Sequence, residues 1–451
     1  MKINMYKKEL NEFEIFPKVS RLNKKITYTC RGLGIETALA NNAEYIIRII
    51  PQEEIATAKT LCIGDENCYD EITVFTDNKG VLKFEYTLKK EQIYTFRLLK
   101  KEENENKFIV NLRVFGTKED LWQRIPMRGN THCHACHSVD GHEDPFVVSS
   151  IYRKAGFDYL AITDHHKVDG SVFAINEAKK LPCEMALYYG EEVHVPNAYI
   201  HNVNVGALLE GEMGLDKYYH LHEKEINEEV ENIVKEYENK LPEDIEPYDF
   251  AWRKWICDTI HKNGGVAILA HPGWLYDAHN TRDSMFRYAA KTGLYDAVEV
   301  MMGQEPNSSE SNMQIAFWND LRAEGIKITP LGCDDAHRRY YKWDYECCFN
   351  GVFTIIYSKT PDFEGFKEAV KGGYSVAVDN YDGAPDHVVG TYRLTKFAIF
   401  LLSEYFPIHD ELCFEEGRLM KEAYLGDEEA IKLLSFINGR VKRFTDKFFG
   451  R

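Results

Sequence analysis

The residues most able to do chemistry in this chain are histidines and acids in short, closely spaced clusters. Thr131-His132-Cys133-His134 places two imidazoles two positions apart, on one side of an extended strand. Two histidines so arranged can bind one metal ion. Four histidines fall between residues 132 and 142, where composition alone would place about 0.4. A metal site in this region is therefore the first hypothesis.

Further acids and histidines follow, most of them directly after a short apolar run. They are Asp140; Asp164 with His165 and His166; Glu192, with His201 nine residues later; His271 before Pro272; and Asp335 with His337. The carboxyl ends of the strands in a parallel α/β barrel meet at one face. We therefore expect these side chains to form a single site.

In this order the motifs resemble those of the PHP superfamily (polymerase and histidinol phosphatase), over roughly residues 128–380. The resemblance rests on residues 130–141 and 158–166, on Glu192 and His201, on Ala270-His271-Pro272 and on Asp335-Ala336-His337. It implies a distorted barrel of seven βα units that holds up to three divalent metal ions and typically hydrolyses phosphoesters. The region before the barrel, with Arg124-Ile125-Pro126, further resembles the carbaryl-hydrolase-like branch.

By this resemblance, nine residues would bind two to three divalent metal ions. His132 and His134 would bind the first ion with Asp335, Glu192 would bridge the first and second ions, His201 and His271 would complete the second, and Asp140, His165 and His337 would hold the third. Asp164 would support these ligands without binding metal. Asn130-Thr131 and Ala135 depart from the family pattern, which usually has an acid before the first histidine pair and a threonine after it.

The chemistry of such a site follows from its donor atoms. Nitrogen and oxygen ligands suit Zn, Mn or Fe. Two such ions a few ångströms apart lower the pKa of a shared water toward about 7, so that it supplies hydroxide, and a third can offset charge in the transition state. Arg338 and Lys167 adjoin the ligands and are candidates to hold an anionic group, for which Arg has the better bidentate fit. His166 or His137 could protonate the leaving group.

The elements that must position these residues change in kind near residue 126. Residues 1–125 contain no histidine, and their period-two alternation predicts a small β-sandwich with a hairpin turn at residues 77–80. Residues 126–380 alternate apolar runs with helical segments, which predicts the α/β barrel. Residues 207–258 interrupt it as a charged helical insertion, either a lid or a solvated excursion. Residues 381–451 are expected to form a helical extension.

The charge composition limits the classes of molecule that this protein is expected to bind. The chain has 55 Lys and Arg against 72 Asp and Glu, a net charge of −17, which disfavours long nucleic acids and leaves a small anionic substrate as the expected partner. Self-association into a homo-oligomer stays open. Neither a signal peptide nor a membrane span is expected, because no long uncharged apolar stretch occurs. The eleven scattered cysteines favour reduced thiols and a cytoplasmic location.

Three functions are open at this point. The leading one is a metal-dependent phosphoesterase for a small phosphorylated molecule or a short nucleotide. The second is hydrolysis of a carbon ester, amide or carbamate at the same site, and the third is a metal-binding or interaction module without catalysis. Residues 133–137 also match the CxxCH pattern of covalent haem, but that leaves the other motifs unexplained. A structural zinc on Cys133 and Cys136 lacks a second cysteine pair of matching spacing.

Overall fold

The computed structural model describes residues 12–53, 69–103, 105–196, 199–274, 281–303, 308–338, 349, 351–380 and 385–451. These residues form mixed α and β structure, which confirms the predicted α/β class. The chain divides into two compact units. The first comprises Met1–Ile125, Ile399–His409 and Gly439–Arg451, and the second comprises Pro126–Ala398 and Asp410–Asn438.

The first unit contains two β-sheets. Its strands are β1 (Phe13–Phe16), β2 (Val19–Arg21), β3 (Ile26–Gly32), β4 (Glu44–Pro51), β5 (Asp70–Phe75), β6 (Leu82–Tyr86), β7 (Gln92–Lys101) and β8 (Asn106–Thr117). One sheet has the order β1-β3-β6, and the other has the order β2-β8-β7-β4-β5. Neighbouring strands are antiparallel except β2 and β8, which are parallel.

Period-two alternation explains how these two sheets pack. Tyr94, Phe96 and Leu98 of β7 are buried, whereas the residues between them are only partly covered. Their side chains share one hydrophobic core with Tyr28 and Phe84 of the smaller sheet, and the Tyr28 and Phe96 ring centroids lie 5.1 Å apart. Burying each such side chain stabilises the fold by about 1.5–3 kcal/mol.

The predicted hairpin turn at residues 77–80 is present: the Asp77 N–H donates to the Val81 carbonyl (2.9 Å), and Thr76 and Leu82 form one antiparallel bridge beyond it. Gly80 has φ +72°, and a Cβ there would lie 2.4 Å from the Leu39 carbonyl oxygen, so glycine is required. The strand before the turn, β5, belongs to the larger sheet, and the strand after it, β6, belongs to the smaller one. The turn therefore connects the larger sheet to the smaller one. The alternation of apolar and polar residues is the same in both sheets, so it does not show which sheet a strand joins.

The second unit contains two further sheets. Its strands are β9 (Ile125–Asn130), β10 (Tyr159–Ala161), β11 (Ala186–Tyr188), β12 (Gly190–Val193), β13 (Asn202–Val205), β14 (Val266–Leu269), β15 (Ala297–Met301), β16 (Thr329–Gly332), β17 (Val352–Ser358), β18 (Ser375–Asp379) and β19 (His387–Val389). One sheet has the order β11-β10-β9-β17-β18-β19, and the other has the order β12-β13-β14-β15-β16.

Helices connect many of these strands and follow the last one. The described helices are α1 (Glu119–Trp122), α2 (Pro145–Lys154), α3 (Asp169–Ala178), α4 (Leu215–Leu221), α5 (Glu223–Tyr237), α6 (Pro247–Lys262), α7 (Asp283–Thr292), α8 (Ser309–Ala323), α9 (Phe363–Lys371), α10 (Tyr392–Glu404), α11 (Phe406–Tyr424), α12 (Glu428–Ile437) and α13 (Arg440–Phe449). Among the described helices, none has both the length and the apolar character that crossing a lipid bilayer requires.

Hydrogen bonds beyond the strand ends join the two sheets of the second unit. The His134 N–H donates to the Ala336 carbonyl (2.8 Å), which links the segments that follow β9 and β16. The His166 N–H donates to the Glu192 carbonyl (3.0 Å), which links the segment after β10 to β12. Together with the sheet pairings, these bonds close a ring of strands in the order β9, β10, β12, β13, β14, β15 and β16.

One strand of this ring differs from a regular series of βα units. β13 runs antiparallel to both β12 and β14. Its connection from β12, residues 194–201, is shorter than the dozen or so residues that a parallel crossover needs, so the chain must turn back as a hairpin. The amino end of β13 consequently lies beside the carboxyl ends of its neighbours.

The helical insertion is packed, which excludes a wholly solvated excursion. Ile226, Val230 and Val234 of α5 are buried in the same core as Leu269 of β14. Leu221, which the helical spacing placed on the same apolar face, is instead 62% exposed. Of the predicted helical extension, residues 392–404, 406–424, 428–437 and 440–449 are helical, whereas residues 387–389 form β19.

Candidate metal centre

The nine predicted ligands lie at one end of the second unit. His132 and His134 follow β9, Asp140 lies in the loop after them, His165 follows β10, Glu192 lies in β12, His201 precedes β13, His271 follows β14, and Asp335 and His337 follow β16. The antiparallel direction of β13 explains how His201, before a strand, joins residues that follow strands. The structure brings all nine into one cluster.

The first group surrounds the space between His132, His134, Asp335 and Glu192. Asp335 Oδ1 lies 3.2 Å from His132 Nε2 and 3.0 Å from His134 Nε2. Glu192 Oε2 lies 3.3 Å and 3.6 Å from the same two nitrogens. Ligand atoms about 2.1 Å from a tetrahedral ion are about 3.4 Å apart. These spacings therefore fit one divalent ion.

The second group shares the other oxygen of the same carboxylate. Glu192 Oε1 lies 2.6 Å from His201 Nδ1 and 3.4 Å from His271 Nε2. Glu192 thus turns one oxygen toward each of two histidine pairs. A carboxylate in this position can bridge two cations and neutralise part of their charge.

The third group contains Asp140, His165 and His337. Asp140 Oδ2 lies 3.2 Å from His165 Nε2 and 3.5 Å from His337 Nε2. The His337 ring stacks on that of His134, with centroids 4.1 Å apart, so this group adjoins the first one. Three sets of ligand atoms that could hold a metal ion overlap with these groups: His132, His134 and Asp335; Asp140, His165 and His337 with His134; and Glu192 and His271 with His132.

Several of these buried atoms lie close together without forming hydrogen bonds. His132 Nε2, Glu192 Oε2 and Asp140 Oδ1 have no hydrogen-bond partner among the described residues. Buried polar atoms are otherwise almost always paired. His132 Nε2 and Glu192 Oε2 are 3.3 Å apart yet misaligned, as expected for ligands that point at a common ion rather than at each other.

The charges of the cluster are strongly coupled. Burial would lower the pKa of His132, but Asp335, Glu299 and Glu192 raise it well above its usual range. Burial would raise the pKa of Glu192, but His201, His165 and His132 hold it well below. Protons on His132 and His165, whose pKa values are raised, thus balance the carboxylates, a role that divalent cations would take over on binding.

Glu299 of β15 orients two of the predicted ligands. Its Oε1 lies 2.8 Å from His132 Nδ1, and its Oε2 accepts the His271 N–H (2.9 Å). Because the Nδ1 side of His132 is engaged, its Nε2 faces Asp335 and Glu192. A carboxylate behind a ligating histidine is a common support of metal sites. The sequence left Glu299 equally open to barrel packing and site support.

Asp164 supports the loop that carries the first histidines, as its predicted role requires. It is fully buried, and its Oδ1 accepts the N–H groups of Ala135 (2.6 Å) and Ser138 (3.1 Å). A Cβ at Gly170 would lie 1.9 Å from Asp164 Oδ2, so the glycine lets the carboxylate fit.

Two acids lie directly beside predicted ligands in the sequence but point away from the ligand groups. The Asp334 carboxylate accepts bonds from the Tyr152 hydroxyl (2.7 Å and 2.8 Å) and from the Asn130 amide, away from the ligand groups. Asp335 adopts φ +48°, a left-handed backbone that costs a non-glycine residue about 1–3 kcal/mol and is typical of functional sites. Alternation along β12 likewise turns Glu191 away from Glu192.

Glu191 and Asp216 attach the helical insertion to the cluster. The Glu191 carboxylate accepts the N–H groups of Leu215 (2.6 Å) and Asp216 (3.2 Å) at the start of α4. Burial and Asp216 raise the pKa of Glu191 to about 8. Asp216 Oδ1 in turn lies 2.6 Å from His166 Nδ1. The insertion therefore helps to position a side chain next to the predicted ligand His165.

The proposed substrate-binding residues lie beside a cavity of about 480 Å³. His166, Lys167 and His137 line it together with Lys217 and His220 of the insertion. Lys167 is exposed, and its Nζ donates to the His137 carbonyl (3.1 Å). The His166 ring centroid lies 6.4 Å from that of His165, so this cavity adjoins the ligand cluster.

Arg338 is placed less directly. It is half-buried immediately after His337, and its carbonyl accepts the Phe349 N–H (3.2 Å). Its function as an anion ligand stays a prediction.

Sequence reasoning passed over His194, Asp216 and the decisive position of Glu299. His194 follows Glu192 by two residues, and this same-side spacing was the signal that could have identified it. Asp216 reaches the site from a long insertion, and nothing in its local sequence marks it.

No protein-family profile and no curated protein matches this chain. Solved structures do match. A two-domain protein from Bacteroides vulgatus that contains a predicted PHP-like metal-dependent phosphoesterase shares 17% identity at a TM-score of 0.36, over 56% of this chain and 65% of that one. This chain thus spans 65% of that neighbour's length.

An amidohydrolase from Chromobacterium violaceum, with bound sulfate and no metal, shares 16% identity at a TM-score of 0.31, over 46% of this chain and 87% of that one. At these identities and scores the likeness is partial, so functional assignment depends on the side chains of this chain itself. The first of these neighbours is described as PHP-like, the superfamily that the motifs of this chain resemble.

Proposed function

We propose that this protein is a metal-dependent phosphoesterase that acts on a small phosphorylated molecule. The observation that carries the proposal is the cluster around Glu192, whose two oxygens lie 2.6–3.6 Å from four imidazoles. These are the spacings of ligands that share divalent ions. The order of the motifs supports the same function, since it resembles a superfamily that typically hydrolyses phosphoesters.

One group of residues would bind metal, and another group would bind substrate. Divalent ions bound at this cluster would activate a water at neutral pH and offset charge on the phosphoryl oxygens. His132, His134 and Asp335 would hold one ion, and Glu192 would fix its distance to the next. Glu299 keeps His132 in the orientation that ligation needs, because it engages the Nδ1 side of that ring.

The adjoining cavity supports an anionic substrate. Lys167 and Lys217 bring two ammonium groups to its wall, His166, His137 and His220 add nitrogen donors, and Asp169 and Asp216 add two carboxylates. The Asp216 carboxylate, which also lines it, is engaged by His166 Nδ1. Charged donors bind phosphate oxygens more strongly than neutral ones. A phosphate ester therefore fits this wall better than an uncharged ester, amide or carbamate does.

A paired substrate screen tests the proposal. Protein loaded separately with Zn, Mn and Fe is offered phosphate monoesters and uncharged carboxyl esters with the same leaving groups. The proposal expects turnover of the phosphate esters, inhibition by inorganic phosphate, and loss of at least 100-fold in the His271→Ala variant. His261→Ala is the matched control, because His261 pairs with Asp296 outside the cluster.

Each other result contradicts the phosphoesterase. Turnover of the uncharged esters alone, without phosphate inhibition, would favour the carbon ester, amide or carbamate hydrolase. Full metal binding without turnover of either set would favour a metal-binding module that does not catalyse.

A further inference from the structure

His194 is a buried imidazole inside the cluster that the nine predicted ligands do not include. It follows Glu192 by two positions, and β12 is extended there, so both side chains lie on the same side of the chain. His194 is 5% exposed. Its Nε2 lies 2.8 Å from His165 Nδ1 and 3.6 Å from Glu192 Oε2.

The surroundings of His194 are the other imidazoles and the carboxylates of the ligand cluster. Its Nδ1 is buried and has no hydrogen-bond partner among the described residues. Its ring lies against two other imidazoles, with centroids 4.3 Å from His201 and 4.5 Å from His166. Its backbone N–H donates to Asp216 Oδ2 (3.1 Å), which fixes the chain at this point.

His165 faces a ligand group with each of its ring nitrogens. Nε2 lies 3.2 Å from Asp140 Oδ2, in the third group described above. Nδ1 lies 2.7 Å from Glu192 Oε2 and 2.8 Å from His194 Nε2. His165 Nδ1, His194 Nε2 and Glu192 Oε2 therefore form a second set of possible ligand atoms, and this set does not include Asp140.

We infer that His194 is a metal ligand, which forms a further divalent-cation position with Glu192 Oε2 and His165 Nδ1. The inference rests on the proposed function, because it adds a position to the same metal centre. His165 would serve this position through Nδ1 and the third group through Nε2 as an imidazolate, which has given up its second proton to solvent and so has a lone pair on both nitrogens. Ligand atoms about 2.1 Å from an ion are about 3.0 Å apart at right angles and about 3.4 Å apart in a tetrahedron. The three observed spacings, 2.7, 2.8 and 3.6 Å, lie around these values. Two nitrogens and one carboxylate oxygen suit Zn, Mn or Fe.

A positioning role is the competing explanation. A proton between His194 Nε2 and His165 Nδ1 would make a hydrogen bond that holds His165 Nε2 toward Asp140. Glutamine at position 194 can make such a bond through its amide but is a poor ligand for these metals. Alanine can do neither. The two substitutions together therefore separate ligation from positioning.

The experiment compares wild-type protein with His194→Gln, His194→Ala and the control His220→Gln, whose imidazole lies in the insertion outside the ligand groups. Each full-length protein is loaded with Zn, freed of excess metal by gel filtration, and its metal content per chain is measured by mass spectrometry. Circular dichroism verifies that each variant is folded. The nitrogen-15 spectrum of ring-labelled histidine counts the metal-bound imidazole nitrogens.

The inference expects both position-194 variants to hold about one Zn fewer per chain than wild type and to lose two metal-bound imidazole nitrogen signals, those of His194 Nε2 and His165 Nδ1, with His220→Gln unchanged. Full metal content in His194→Gln would overturn it in favour of positioning. Full content in both variants would overturn it as well, while the proposed function would stand. Absence of bound metal from wild-type protein would overturn the proposed function and this inference together.

Discussion

Replacing Glu299 by glutamine should weaken metal binding although residue 299 would not itself bind metal. The carboxylate is fully buried and accepts on both oxygens, from His132 Nδ1–H at 2.8 Å and from the His271 N–H at 2.9 Å. Glutamine has the same size but only one acceptor oxygen. Its amide nitrogen must therefore face either the His271 N–H or His132 Nδ1.

Both orientations are costly. Facing the His271 N–H, the amide places two donors together and leaves a buried donor unpaired, which costs about 1–3 kcal/mol. Facing His132, the amide favours the tautomer that carries its proton on Nε2, the atom that points at Asp335 and Glu192. Loss of such a supporting contact typically lowers metal affinity by about 10–100-fold. We expect Glu299→Gln to fall in this range.

The assay is competition between protein and a chelator of known affinity, followed for each metal. Asp296→Asn is the control, since Asp296 directly precedes β15 and its Oδ2 also lies near a histidine (His261 Nε2, 2.9 Å) and accepts a backbone N–H (Ala267, 3.0 Å), but at the end of the strand away from the cluster. Wild-type affinity in Glu299→Gln, or an equal loss in Asp296→Asn, would refute the reasoning.

Three further outcomes are expected. Arg153→Met should lower the free energy of unfolding by about 3–5 kcal/mol in urea denaturation, because it leaves the buried Glu416 carboxylate without its cation, now bonded at 2.7 Å, and with the Glu184 N–H still bonded at 2.6 Å; a loss under 1 kcal/mol would contradict this. Asp164→Ala should lower stability by about 1–3 kcal/mol for each N–H it orphans, at Ala135 and Ser138, and should reduce metal content, whereas unchanged metal content would argue against its support of the ligand loop. In protein stripped of metal, burial would lower the pKa of His165, but Glu192 and Asp140 raise it from 6.5 to about 10, so its stabilising proton is fully present below about 6.5 and is lost as the pH rises through about 10. Metal must displace that proton, so affinity should rise with pH in this window; titration calorimetry in buffers of different ionisation enthalpy should show proton release, and none would contradict the expectation.

Sequence could predict those parts of the site where one local pattern determines both the type of a residue and its position in the fold. His271 illustrates this, because an apolar run followed by His-Pro marks a buried strand with a ligand at its carboxyl end. His132 and His134 are similar, since their spacing places both rings on one side of the chain. In each case the strand that supplies the residue also fixes its direction.

The remaining parts depend on contacts between distant segments. The direction of β13 follows from the length of the loop before it, and only the pairing with β14 shows which end His201 occupies. Asp216 lies 50 residues from His166 along the chain, within an insertion whose packing the sequence left open. Glu299 is one of several buried residues in β15, and alternation does not say which face meets the ligands.

Hydrophobic spacing was also an incomplete guide to burial. Ile226 and Val230 are buried as their helical spacing predicts, whereas Leu221 is 62% exposed because α4 ends there and the next helix begins at Glu223. A periodic pattern assumes a continuous helix. Where one helix ends and another begins, the residues on either side of the break no longer share one apolar face.

Metal content is the measurement that tests the central claim most directly. Protein purified without chelator is analysed by mass spectrometry beside His271→Ala, Asp335→Ala and the control His261→Ala. The account predicts at least two divalent ions of Zn, Mn or Fe per chain in wild-type protein and in the control, and fewer in both ligand variants. Near-zero metal in folded wild-type protein, after supplementation with each ion in turn, would contradict it.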